Sequence, residues 1–312
     1  MSRAFVFPGQ GAQTIGMGRD LAGAYPAARA VFDEVDEALG EPLSRLIWEG
    51  DIETLTLTEN AQPALMAMSM AVMRALDTEG VTIGAASYVA GHSLGEYSAL
   101  AAAGALSVTD AARLLRARGR AMQAAVPVGV GAMAALLGLD FDTARAVALE
   151  AAQGQVCQAA NDNDPAQVVV SGHREAVERA VEIAKAKGAK RAVMLPVSAP
   201  FHCALMEPAA RAMAEALAQV EIRDPTVPVI ANVLAEPVAE AARIRSLLVD
   251  QITGSVRWRE SVIDMRQRGV TEIWEIGAGK ALSGMIRRID REIEALSIAT
   301  PDEVKAAAGR NR

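Results

Sequence analysis

Strand and helix signals alternate along most of the chain, and that alternation predicts an α/β protein. A short apolar run at 4–7 reads as a first buried strand and breaks at once into Pro8-Gly9. Helices are expected over 26–39 and 60–79, the second with Pro63 in its first turn, where proline is tolerated. A strand at 87–90 is followed by an alanine-rich helix at 94–104. Ser107-Val-Thr-Asp110 matches a capping pattern for a helix reaching about residue 125. After the hinge-like Pro127-Val-Gly-Val-Gly131 the rhythm changes: strand 132–139, helix 142–153, strands 156–160 and 167–171, helix 175–187, strand 191–196. The order β-α-β-β-α-β is the ferredoxin-like pattern. Residues 130–197 are therefore expected to form a small inserted subdomain, with 1–129 and 198–312 forming the large domain. In the latter, helices are expected at 204–219, 241–253 and from 261, with strands at 227–231 and 272–276. The polar tail 301–312 is expected to fray.

Composition narrows the function. The 312 residues carry 31 Lys plus Arg against 38 Asp plus Glu, a net charge of −7, which argues against a broad nucleic-acid surface. No run approaches the ~18 uninterrupted apolar residues of a membrane span. The cysteines, Cys157 and Cys203, make no disulfide framework, which suits a reducing cytoplasm. The histidines, His92, His173 and His202, have no metal-ligand spacing. Neither Gly9/Gly11 nor Gly277-Ala-Gly-Lys280 meets a nucleotide-loop pattern. No cofactor is expected.

The chemistry gathers around Gly91-His92-Ser93-Leu94-Gly95. The G-x-S-x-G spacing between a strand and a helix is the setting of an exposed nucleophilic serine. Ser93 is read either as that nucleophile or as a hydroxyl in a glycine-bearing turn. His92 adjoins it and should point away. His173 reads as a surface residue. His202, between a strand and a helix in Pro196-Val-Ser-Ala-Pro-Phe-His-Cys203, is the candidate base, the alternative being a structural histidine. No acid announces itself as a third member; a neutral carbonyl would serve to fix the imidazole tautomer. The amide of Leu94, at a helix start, is one candidate oxyanion donor. Phe7-Pro-Gly-Gln-Gly11, with Gln10 between glycines, offers a second, or is a plain turn. On the helix around 108–125, Arg118 falls on the apolar face with Ala111, Leu114, Leu115 and Met122, while Arg113, Arg116 and Arg120 fall on the face expected to be solvated. A buried arginine needs an anion: a structural carboxylate or a substrate carboxylate. Met122 is counted with Arg118 among the substrate contacts.

Together Phe7–Gly11, Gly91-His-Ser-Leu-Gly-Glu96, Arg118-Gly119, Phe201-His202, Gln251 and Glu275-Ile-Gly-Ala-Gly-Lys280 resemble the malonyl-CoA:acyl carrier protein transacylase family. Acyltransferase domains of polyketide synthases are more distant relatives. The resemblance spans almost the whole chain. It implies a hydrolase-like α/β core with an inserted ferredoxin-like subdomain. It also implies a malonyl-Ser93 intermediate, His202 as base and then acid, Gln251 supplying the carbonyl that orients it, and the amides of Gln10 and Leu94 as oxyanion hole. Arg118 would hold the malonyl carboxylate, Asn161 would touch the pantetheine arm, and bulky Phe201 would favour malonyl over methylmalonyl. The implied partners are malonyl-CoA and a holo acyl carrier protein, which is typically acidic; Arg113, Arg116 and Arg120 are candidates, by charge, to meet it. A monomer is expected. A trans-acting polyketide acyltransferase, a serine hydrolase and a non-catalytic binding module are the rival readings. Ala278 stands where relatives often carry proline.

Overall fold

The computed structural model describes residues 2–310. Ten strands are present among them: β1 (Ser2–Phe7), β2 (Tyr88–Gly91), β3 (Gly131–Leu137), β4 (Cys157–Asp164), β5 (Gln167–His173), β6 (Arg191–Met194), β7 (Val229–Ala231), β8 (Glu236–Val238), β9 (Val270–Ile276) and β10 (Glu294–Ile298). They form two sheets. The larger runs β10-β9-β1-β2-β7-β8, parallel throughout except for β8, which returns antiparallel on β7 at the edge. β1 lies at its centre with Ala4–Phe7 fully buried, as a strand covered on both faces requires. The smaller sheet runs β4-β5-β3-β6, antiparallel, with helices Phe141–Ala152 and Arg174–Ala186 crossing between its strands. The fold is a hydrolase-like α/β core carrying a ferredoxin-like α+β unit. No helix of the described residues is long and apolar enough to cross a membrane.

Several expectations need correction. The long helix is Thr58–Thr78, so Pro63 lies inside it rather than in its first turn. That segment crosses the helix Val108–Ala124 at very short range. A Cβ on Gly119 would stand 2.5 Å from the Cα of Glu59, so only glycine permits the approach. The helix expected from 261 begins at Trp258, and β8 and β10 were not anticipated. The tail does not fray over 301–310. Pro301–Arg310 is a helix whose Val304, Ala307 and Ala308 are buried against the core, because those three recur on one face. The rest of that expectation, 311–312, lies outside the described residues. The Ser107 cap is present: its Oγ accepts from the Asp110 amide at 2.9 Å. His173 is half-buried rather than a surface group, its Nδ1 accepting from the Val156 amide at 2.9 Å. Arg116 is not solvated. It is buried against Glu41 and Asn60, while Arg113 donates to the Ala38 carbonyl and Arg120 to Glu59.

Candidate active site

The carboxyl ends of β1, β2 and β7 meet at one edge of the large sheet, where ligands of parallel α/β sheets gather. β2 ends at Gly91 and the next helix starts at Gly95, leaving His92, Ser93 and Leu94 to make the turn. The turn is so tight that a Cβ on Gly91 would lie 1.9 Å from the Gly95 carbonyl. Ser93 is forced to φ 54°, a left-handed conformation that strains a non-glycine residue. Asn232, just past β7, holds this turn: its Oδ1 accepts from the Ser93 amide at 2.8 Å and its Nδ2 donates to the Gly91 carbonyl at 2.6 Å. The Gln251 side chain donates to the Ser93 carbonyl at 3.0 Å. His92 points away, its Nε2 lying 2.8 Å from Asn163 Oδ1.

His202 also sits at positive φ, 59°. Its Nε2 is 2.8 Å from Ser93 Oγ, and its Nδ1 is 2.9 Å from the Gln251 carbonyl. A carbonyl can only accept, so Nδ1 carries the proton and the Nε2 lone pair faces the serine hydroxyl. Burial, then the nearby Arg118 charge, push the imidazole down to about 3, so it is neutral at physiological pH. A neutral base aimed at a strained hydroxyl can take its proton during attack on a carbonyl.

Two unpaired amides belong to residues that line the same space. Neither the Gln10 nor the Leu94 N–H meets a protein acceptor among the described residues, and both residues line the cavity. They can serve a developing oxyanion. Arg118, 1% exposed, donates from Nη1 to Gln62 Oε1 at 2.8 Å. From Nη2 it donates to Gln251 Oε1 at 2.8 Å and to Ser93 Oγ at 3.0 Å. Its Nε has no partner, and among the described residues no carboxylate forms an ion pair with it. A structural Asp or Glu therefore does not neutralise it directly, and the cation is left facing the cavity next to Ser93 Oγ.

The cavity measures about 350 Å³. Of the nine residues expected at the site, eight line it: Gln10, Ser93, Leu94, Arg118, Met122, Asn161, Phe201 and His202. Gln251 stands behind them, fully buried. The arginines expected by charge near the mouth, Arg113, Arg116 and Arg120, do not line it. The small sheet contributes a wall through Met133 and Asn161. Sequence reasoning missed Asn232, Gln62 and Thr58. The Thr58 hydroxyl accepts from Gln62 and donates to Gln10 Oε1, tying the arginine's support to the glycine loop. The one available signal for Asn232 was a polar residue directly after a short apolar strand.

Comparisons with known proteins agree with this geometry. A family model described as an acyl transferase domain matches residues 4–289. The malonyl CoA-acyl carrier protein transacylase of Bacillus subtilis (strain 168) is 48% identical over 305 residues, 97% of this chain and 95% of that one. The crystal structure of an acyl-carrier-protein-S-malonyltransferase from Bartonella henselae superposes with a TM-score of 0.97 at 56% identity, covering 99% of each chain. A malonyl-transacylase solved in complex with its type II PKS acyl-carrier protein gives 0.97 at 43%, covering all of both chains. By similarity along nearly its whole length, the chain belongs to the acyl transferase family, within the malonyl CoA-acyl carrier protein transacylases.

Proposed function

We propose that this protein transfers a malonyl group from malonyl-CoA to the phosphopantetheine thiol of a holo acyl carrier protein, in fatty acid biosynthesis. The observation that carries the reading is the buried, carboxylate-free Arg118, 3.0 Å from Ser93 Oγ. It offers a cationic seat for an acyl group that ends in a carboxylate. The mechanism is ping-pong. Ser93 Oγ attacks the thioester carbonyl while His202 Nε2 takes its proton. The amides of Gln10 and Leu94 hold the tetrahedral oxyanion. The C–S bond breaks, and His202 returns the proton to the CoA sulfur. The carrier thiol then repeats these steps on malonyl-Ser93, with its proton passing through His202 to the serine oxygen. Gln251 holds the His202 tautomer. Met122 and Phe201 pack against the malonyl group, and Asn161 meets the pantetheine arm. One thioester replaces another, so no energy source is required. Apolar walls limit water, which would otherwise release free malonate.

We read the protein as a monomer, and two free, buried cysteines support a reducing, cytoplasmic setting. We read 130–197 as an inserted subdomain; a separate apolar core under the small sheet supports that boundary. A second reading, a trans-acting polyketide acyltransferase, is favoured by the similar structure that carries a polyketide carrier protein. Its chemistry is the same and only the acceptor differs.

Arg118→Ala tests the reading. Malonyl transfer should fall by roughly two orders of magnitude, about 3 kcal/mol, with a much smaller loss for acetyl-CoA. Arg118→Lys should also be poor, since lysine lacks the planar fork. Equal losses for both donors would remove the carboxylate seat. Free malonate forming as fast without carrier as with it would make the protein a hydrolase. Running fatty-acid and polyketide carriers side by side assigns the acceptor.

A further inference from the structure

Glu96 has no place in the steps above, yet it lies at their centre. It is 3% exposed and forms no ion pair among the described residues. Its Oε2 accepts from the Gln251 side-chain amide at 2.6 Å and from the Asn232 backbone amide at 3.3 Å. These are the two residues that hold the Ser93 turn. The other end of the Gln251 amide, Oε1, accepts from Arg118 at 2.8 Å. One glutamine thus stands between a buried carboxylate and a buried guanidinium, bonded to both. The other titratable groups around this cluster are Tyr97, on the same helix as Glu96, and His202 and His92 beyond Gln251 and Ser93. His202 is neutral, and burial also disfavours charge on His92 and on the Tyr97 hydroxyl.

Above the Glu96 midpoint the substrate-free cluster holds Arg118⁺ and Glu96⁻ and is neutral. A malonyl carboxylate seated on Arg118 makes it −1 in a dehydrated site, which is costly. A proton on Glu96 restores neutrality. We propose that Glu96 is the internal counter-charge of Arg118 and a positioning residue for Gln251, and that it takes up a proton when the malonyl carboxylate docks on Arg118. Burial already moves Glu96 towards this exchange, raising it from the ordinary carboxylate range to about 7. The inference rests on Arg118 as the malonyl seat and adds a proton-coupled basis for selectivity. Below the Glu96 midpoint the internal counter-charge is already neutralised. Above it, Glu96⁻ competes with the incoming carboxylate for the same cation.

The proton balance makes this measurable. Acylation converts Ser93–OH and a thioester into an oxyester and a thiol. The serine proton ends on sulfur, so the exchange itself consumes none from solvent. CoA thiol ionisation releases about a quarter of a proton at about pH 8, given an ordinary thiol value of about 8.5, and is subtracted from the count. Uptake present in wild type and absent from Glu96→Gln therefore reports Glu96. The experiment mixes the full chain with malonyl-CoA in weak buffer containing an indicator dye. The malonyl-enzyme fraction is read in parallel by intact mass, for wild type and Glu96→Gln, from about pH 6 to about pH 8. Wild type should take up close to one proton per malonyl group at the alkaline end and almost none at the acid end. Its acylation equilibrium constant should fall towards tenfold per pH unit above the Glu96 midpoint, a dependence that Glu96→Gln should flatten. A malonyl adduct forming on wild type with no proton uptake, or with the same pH slope in both proteins, overturns the proposal. Absence of any malonyl adduct on wild type instead overturns the reading on which it rests. If Glu96→Gln fails to fold, a wild-type adduct that forms without proton uptake still overturns the proposal.

Discussion

Ser93 and His202 are both held in left-handed backbone conformations, which cost non-glycine residues of order 1–3 kcal/mol each. Asn232 supplies part of what sustains the first, with bonds to two backbone groups of the turn. Asn232→Ala should therefore lower the single-turnover acylation rate by about tenfold or more, and denaturant unfolding should show a loss of about 1–3 kcal/mol from the backbone groups left unpaired. Unchanged acylation would mean that the turn holds itself. The pH dependence has a definite sign. His202 titrates at about 3 when folded and near 6.5 when unfolded, so it stays a free base well below neutrality. The acylation rate should not fall between about pH 7 and about pH 5, as it would if this histidine titrated near 6.5. The stability that comes from keeping this histidine neutral is complete above about 6.5 and declines as pH falls below it. Ser93, His202 and Arg118 were legible because spacing, scarcity and an apolar helical face each marked one of them. Glu96 sat in plain view within the serine motif without an evident role, because its partners Gln251 and Asn232 lie more than a hundred residues away.

The same limit governs whole elements. The capped helix after Ser107 was readable from local chemistry, and Ser107→Ala should cost about 1 kcal/mol in thermal unfolding. The second half of β4 was not readable. Asn161-Asp-Asn-Asp164 is a run of polar residues that local reasoning assigns to a loop, yet all four are buried in a strand. Each of the last three has a distant partner. Asp162 accepts from Arg259 Nε at 3.0 Å through both oxygens, Asn163 meets His92, and Asp164 accepts from Arg288 at 2.7 Å. These contacts tie the small sheet to helices of the core and set Asn161 against the cavity. Asp162→Asn should cost about 2 kcal/mol. That lies below the value for fully buried pairs because Arg259 keeps 27% of its side chain exposed. Chemical denaturation measures the loss. A change under about 0.5 kcal/mol would show that the joint rests on packing alone.

At the scale of the whole molecule, alternation specified the architecture, since parallel strands with crossover helices put loops at one edge of the sheet. The missed strands β8 and β10 lie at the two edges of the large sheet, where half-covered strands carry mixed sequences such as Glu294-Ala-Leu-Ser-Ile298. The fold unites groups remote in sequence: a serine after β2, a histidine between β6 and the following helix, and a glutamine carbonyl near the end of the helix Ala241–Thr253. It adds a cavity wall from the smaller sheet. The central claim is that this assembly forms and discharges a malonyl ester on Ser93. The most direct test is the intact mass of the protein after mixing with malonyl-CoA, with Ser93→Ala alongside and a holo carrier protein added afterwards. One malonyl group should appear on the wild type, be absent from Ser93→Ala, and leave when the carrier arrives. A malonyl adduct that persists in Ser93→Ala, or a wild type that neither gains mass nor releases CoA, would contradict the account.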